Sequence, residues 1–267
     1  MKIIDAHLHL FPGEHGEQLA QRVGHHSSPE HLREIYGELG MVHGVIMGNR
    51  SLRPEDHQYP TDLLHYCIGL DSTVVADRMA EQVEENLRLP GCCGVKLYPG
   101  YNRTPLTHPM YAPIYELAAQ YDKPVAVHMG LTAFAGAHLK YCHPLALDEV
   151  AADHPDTRFV LCHFGNPFFE TAAAVLAKNP NVSADLSGLL EGRVNLDDWF
   201  EEQSGYAWML KSWLAASGAW DRLMYGTDWP IVHLSEYLEF IRRIVPERYW
   251  EPVFFHNANR IYGLGLS

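Results

Sequence analysis

The chain has no run of 18 or more apolar residues, the length a transmembrane helix needs, so a membrane-spanning segment is not expected. It starts directly on a charged strand segment rather than an apolar leader, and a secretory signal is not expected either. Basic residues are scarce. The 20 Lys and Arg face 33 Asp and Glu for a net charge of −13, and no basic cluster stands out. That balance argues against nucleic acid or an anionic membrane surface as partner. Cysteines are few and odd in number, at five. The vicinal pair Cys92-Cys93 lacks the two-residue spacer of a zinc knuckle and is read as structural. Nothing resembles a disulfide framework, so a reducing cytoplasm is the expected location. Linkers, low-complexity tracts and short repeats are absent. Also missing is a glycine-rich phosphate loop after the first apolar run, where His7-Leu8-His9-Leu10-Phe11-Pro12 stands instead.

What is present is a 267-residue chain, 47% hydrophobic, which suits one large domain spanning 1–267. Eight short apolar runs read as strands: Ile3–Ala6, Gly44–Met47, His65–Leu70, Gly94–Leu97, Val125–His128, Phe159–His163, Val182–Asp185 and Leu223–Gly226. Segments with helical apolar spacing lie between them, among them Arg78–Leu89, Tyr111–Tyr121, Glu170–Lys178 and Trp208–Ala216. Uniformly apolar strands alternating with helices indicate a parallel sheet covered by helices. Eight units in this length fit an α/β fold of the (β/α)8 TIM-barrel type. Phe255 to Gly263 reads as a closing helix with a glycine stop.

Several of these runs end on metal-competent residues. On an extended chain residues i and i+2 share a face, so His7 and His9 can aim two imidazoles into one space. His128, His163 and Asp228 end the fifth, sixth and eighth runs, and in such a barrel those ends share one rim, where catalytic groups sit. Three imidazoles and one carboxylate, His7, His9, His128 and Asp228, make an N3O set that suits one Zn²⁺, or less well Mn²⁺ or Fe²⁺. Such a cation lowers the pKa of bound water from ~15.7 to about 7. Asp228 is then placed as a general base, and His163 as a group that polarises a carbonyl or protonates a leaving group. Lys96 occupies the fourth strand, where burial is costly without a partner. It is read as a catalytic cation, with a salt bridge to a core acid as the plainer alternative.

The segments His7-Leu8-His9, Gly94-Val95-Lys96-Leu97-Tyr98-Pro99, His128, Cys162-His163-Phe164-Gly165 and Tyr225-Gly226-Thr227-Asp228-Trp229-Pro230 together resemble the amidohydrolase superfamily. More narrowly they are similar to its family 2 branch, metal-dependent hydrolases that include aminocarboxymuconate-semialdehyde decarboxylase and related aromatic-acid decarboxylases. The resemblance runs from residue 1 to the closing segment. It implies a metal held by His7, His9, His128 and Asp228, with His163 a proton donor or second-metal ligand. A second metal bridged by a carboxylated Lys96 is the less favoured alternative.

Substrate recognition is assigned to Tyr98, Tyr101, Arg103 and Trp229. Arg50, Arg193, Phe134, Phe164 and Trp199 are further candidates on the same rim. Cations in an otherwise acidic protein suggest a small carboxylated molecule. His15, His25 and His26 are read as surface histidines of the long first loop. The first expectation is hydrolysis of an ester, lactone or amide bond. The second is metal-dependent, non-oxidative decarboxylation of an unsaturated or aromatic acid, and the third a non-catalytic metal-binding barrel. A homodimer is one reading of its assembly.

Overall fold

Strands buried on both faces lose the alternation of polar and apolar residues, and the eight apolar runs become eight such strands. A computed structural model describes residues 1–11, 13–48, 51–70 and 78–267. The strands are β1 (Ile3–Leu8), β2 (Met41–Met47), β3 (Leu64–Leu70), β4 (Cys92–Leu97), β5 (Val125–Val127), β6 (Phe159–Leu161), β7 (Val182–Asp185) and β8 (Leu223–Met224). They pair in sequence order, every neighbouring pair parallel. The ring is drawn together by Ala6 N–H donating to Tyr225 O at 2.9 Å and His9 N–H donating to Trp229 O at 2.7 Å. The result is a single-domain TIM barrel.

The core has two layers. Ile4, Ala6, Val45, Met47, Ala126 and Val160 fill the barrel with Cys67, Cys93 and Cys162, beneath Phe255, Ala258 and Ile261 of the closing segment. A larger cluster lies between sheet and helices, where Val95, Leu97, Val125 and Val127 meet residues such as Leu87, Ile114 and Tyr115. Helix Leu234–Ile244 illustrates the outer layer. It buries Leu234, Tyr237, Leu238, Phe240, Ile241 and Ile244, a three- and four-residue spacing that makes one apolar stripe. The first loop is more ordered than its composition suggests and holds helices Glu14–Arg22 and Pro29–Leu39. The second is capped by the Ser28 side chain, which accepts from His31 N–H, and ends at Gly40 with φ +73°.

All five cysteines are buried and free. No helix among the described residues is long and apolar enough to cross a membrane. The expected strand ends shift where chemistry begins. β5 stops one residue before His128, β6 two before His163, and β8 four before Asp228. These side chains are carried on the first residues of the loops rather than on the ladder.

Candidate metal and catalytic site

The extended backbone of β1 places His7 and His9 side by side, with ring centroids 5.5 Å apart. Their partners assign their protons. His7 Nδ1 lies 2.9 Å from Asp185 Oδ2, and a carboxylate only accepts, so His7 Nδ1 carries the hydrogen. His9 Nδ1 lies 2.9 Å from the Met47 carbonyl and donates to it in the same way. In the neutral ring each Nε2 is then a lone pair. Both face Asp228 Oδ1, at 3.4 Å from His7 and 3.2 Å from His9. With both rings neutral three acceptors converge, and His7 Nε2 and Asp228 Oδ1 are buried without a hydrogen-bond partner among the described residues. Buried acceptors left in this way are costly, and a cation at their centre removes the penalty. The three ligand atoms lie within 4.8 Å of one another, so a divalent metal fits the set.

The charges favour the same state. Burial lowers His7 to about 3, helped by the positive charge of Lys96, so the ring is neutral and free to ligate. Burial opposes ionisation of Asp228, but the imidazoles of His163, His9 and His7 outweigh it and hold the carboxyl well below its usual range. Asp185 is held down in the same manner, chiefly by His7 against the opposing effect of burial.

His163 stands next to this centre, its ring 4.7 Å from that of His7. Its Nδ1 is surrounded by acceptors: Ser187 Oγ at 2.8 Å, Ser187 O at 3.3 Å and Asp228 Oδ2 at 4.0 Å. Its Nε2 lies 3.1 Å from His128 Nδ1, and His128 Nε2 donates to the Leu131 carbonyl at 2.8 Å. His128 thus sits one ring away from the convergence of His7, His9 and Asp228, tied to it through His163. Burial pushes both rings below the ordinary imidazole value, His128 furthest, where His163 and Lys96 add to the effect.

The backbone is held unusually here. His163 and Asp228 have φ of 60° and 64°, left-handed values that cost a non-glycine residue roughly 1–3 kcal/mol. Gly188, at φ +59°, packs against both. A Cβ there would lie 3.0 Å from Asp228 Oδ2 and 3.0 Å from His163 Nδ1, so a side chain would displace them.

The other expected residues separate into groups. Lys96 is wholly buried, yet no carboxylate lies within 4 Å of it among the described residues, so the salt bridge to a core acid is not formed. Its ammonium donates to Cys162 Sγ at 2.8 Å and lies 5.3 Å from the Tyr98 ring centre. Tyr101 is on the rim, its ring 5.0 Å from His128 and 5.2 Å from the exposed Phe134. Tyr98 is buried and its hydroxyl donates to Gly48 O at 2.8 Å. Arg103 is exposed, with Nε donating to Gly136 O, and Arg193 is paired with Glu236 at 2.7 Å. Arg50 lies outside the described residues.

Trp229 corrects the expectation of a substrate wall, since it is fully buried and packs in the core. Phe164 is likewise core, and Trp199 packs against Phe200, Tyr206 and Phe240. His25 is not a surface residue. Its Nδ1 faces His31 Nε2 at 3.0 Å, and its Nε2 accepts from Leu234 N–H at 3.2 Å, closing the first loop onto the last long helix.

Three residues have no role in the sequence reading. Asp185 and Ser187 support His7 and His163. Asp5 accepts from Thr227 N–H, Thr227 Oγ1 and Tyr36 OH, which ties the Asp228 turn to β1. Burial raises the Asp5 carboxyl to about 7. Asp185 was within reach, because it ends an apolar run as the assigned residues do. Asp5, inside an apolar strand, carried the same signal as Lys96.

The family model described as amidohydrolase matches residues 4–264. Sequence comparison with curated proteins gives no match. Among solved structures, a probable 2-pyrone-4,6-dicarboxylic acid hydrolase from Acinetobacter baumannii, with citric acid bound, superposes with a TM-score of 0.67 at 16% identity, over 98% of this chain and 100% of that one. An amidohydrolase from Burkholderia multivorans with bound zinc gives 0.66 at 18% identity, over 98% and 99%. The 2,6-dihydroxybenzoate decarboxylase from Rhizobium gives 0.69 at 14% identity, over 99% of each chain. At such identities the likeness is one of fold.

Proposed function

We propose that this chain, which belongs to the amidohydrolase family, is a hydrolase that cleaves a C–O or C–N bond of a small carboxylated molecule with the help of one divalent cation, Zn²⁺ first among candidates. The observation that carries this reading is the meeting of His7 Nε2, His9 Nε2 and Asp228 Oδ1, of which His7 Nε2 and Asp228 Oδ1 are buried with no hydrogen-bond partner among the described residues. These three residues would hold the cation; His128, the fourth ligand expected from sequence, faces His163 instead. When bound, it would supply a Lewis acid that acidifies water to a pKa of about 7 and polarises a carbonyl.

The chain's own groups do the rest. Asp228 Oδ2, 4.0 Å from His163 Nδ1, is the free carboxylate oxygen that can take a proton from an attacking water. The imidazole of His163 can pass a proton to the leaving oxygen or nitrogen. The ring of Tyr101 with Phe134 forms one wall of the approach. Lys96 and Arg103 are the candidates for the substrate carboxylate.

Decarboxylation of an aromatic or unsaturated acid is the second reading. It would use the same ligands, and Tyr101 and Phe134 offer aromatic surface to such a substrate. One experiment tests both. The purified protein is assayed for metal content, then given carboxylated lactones and aromatic acids in ¹⁸O-labelled water. Label in a newly formed carboxylate supports hydrolysis, whereas CO₂ release without that label makes the second reading correct.

A further inference from the structure

β7 ends in Asp185, wholly buried and given no part in the proposed reaction. Both its oxygens are fully engaged. Oδ2 accepts from His7 Nδ1–H at 2.9 Å. Oδ1 accepts from Ser187 Oγ–H at 2.5 Å, His163 N–H at 2.9 Å and Ser187 N–H at 3.2 Å. An ionised carboxylate has no proton to give, so it sets the direction of every hydrogen bond around it. His7 must hold its hydrogen on Nδ1, leaving the Nε2 lone pair for the cation. Ser187 spends its single hydrogen on Asp185, so at 2.8 Å its oxygen accepts from His163 Nδ1–H, which leaves His163 Nε2 and His128 Nδ1 as lone pairs 3.1 Å apart.

We infer that Asp185 is a positioning residue for two imidazoles at once: directly for His7, and through the Ser187 hydroxyl for His163. One carboxylate then couples cation affinity to the placement of the proton on the catalytic imidazole. The His7 half of this inference rests on the metal reading; the His163 half does not. His7, His163 and Asp185 also lie close enough together to be considered as a second cation site. That alternative is disfavoured, because the Asp185 oxygens already accept four hydrogen bonds and His7 Nδ1 is a donor. A ligand carboxylate next to a cation would instead show an unfilled oxygen, as Asp228 does.

The test uses the full-length, metal-free protein labelled with ¹⁵N-histidine, read by long-range ¹H–¹⁵N correlation, together with calorimetric Zn²⁺ titration. In wild type both His7 and His163 are expected as Nδ1–H tautomers, and one Zn²⁺ binds. Asp185→Asn should release His7 from that tautomer and weaken Zn²⁺ binding about 10- to 100-fold, the usual effect of removing a ligand's orienting partner. Ser187→Ala should leave Zn²⁺ affinity and the His7 tautomer unchanged and alter only the His163 signal. His7 found as the Nε2–H tautomer, unchanged affinity in Asp185→Asn, or two Zn²⁺ per chain would each overturn the inference. If Asp185→Asn does not fold, the wild-type spectrum and Ser187→Ala still decide. Absence of Zn²⁺ binding by wild type would defeat the metal reading, while the two tautomers would still judge Asp185.

Discussion

Replacing Asp228 by Asn should stabilise the metal-free protein while abolishing its response to metal. In wild type, Oδ1 of Asp228 and Nε2 of His7 are buried acceptors that face each other at 3.4 Å with no hydrogen between them. The Asn amide nitrogen, taking the place of Oδ1, can donate to His7 Nε2 or to His9 Nε2, which lies 3.2 Å from that position. A mutual clash becomes a hydrogen bond. Satisfying a buried group of this kind is worth about 1–3 kcal/mol. With an unfolding entropy of about 2.1 cal/mol/K per residue over 267 residues, the melting temperature of the metal-free variant should rise by roughly 2–5 °C. Zn²⁺ at a hundred times its dissociation constant should stabilise wild type by about 2.7 kcal/mol, or roughly 5 °C on the same scale. It should leave Asp228→Asn unmoved. Calorimetry of chelator-treated and Zn²⁺-loaded samples of both proteins reads all four values. A metal-free variant that melts at or below metal-free wild type would refute the acceptor argument, and so would a variant that keeps the Zn²⁺ shift.

Three other outcomes are expected. His163→Asn should retain stoichiometric metal but lose kcat by ~10²-fold or more, as for a missing acid–base group, and metal loss in elemental analysis would instead make His163 a ligand. Lys96→Met removes a buried ammonium with no carboxylate within 4 Å among the described residues, so the urea midpoint should not fall. KM for a carboxylated substrate should rise by about tenfold or more, since a hydrogen bond to a charged group contributes about 1.5–3 kcal/mol; an unchanged KM would remove Lys96 from recognition. Burial, then the charges of His233 and His31, lowers His25 from the ordinary 6.5 to about 4. The unfolded chain therefore takes up a proton as pH falls below 6.5, and the folded chain does not until about 4, so stability should decline across that window. His25→Asn should flatten this slope in urea titrations at several pH values, and parallel slopes would show that another group is responsible.

Much of this protein follows from local pattern. Eight apolar runs of four to six residues separated by amphipathic segments leave few packings other than a helix-covered parallel barrel, so the order of its elements is readable from sequence. His7 and His9 needed only the two-residue period of a strand to be placed together. Tertiary structure decided what local pattern cannot hold. Asp185 meets His7 across 178 residues, and which nitrogen of His7 keeps its proton depends on that contact. His128 faces His163 rather than the convergence of His7, His9 and Asp228, because the Leu131 carbonyl takes its other nitrogen. Trp229 follows Asp228 directly but turns into the core, since Asp228 itself adopts a left-handed φ of 64° that redirects the chain. Residue type and period determine which groups arrive at the rim. Lone-pair direction and burial, set by partners distant in sequence, determine what those groups can do there.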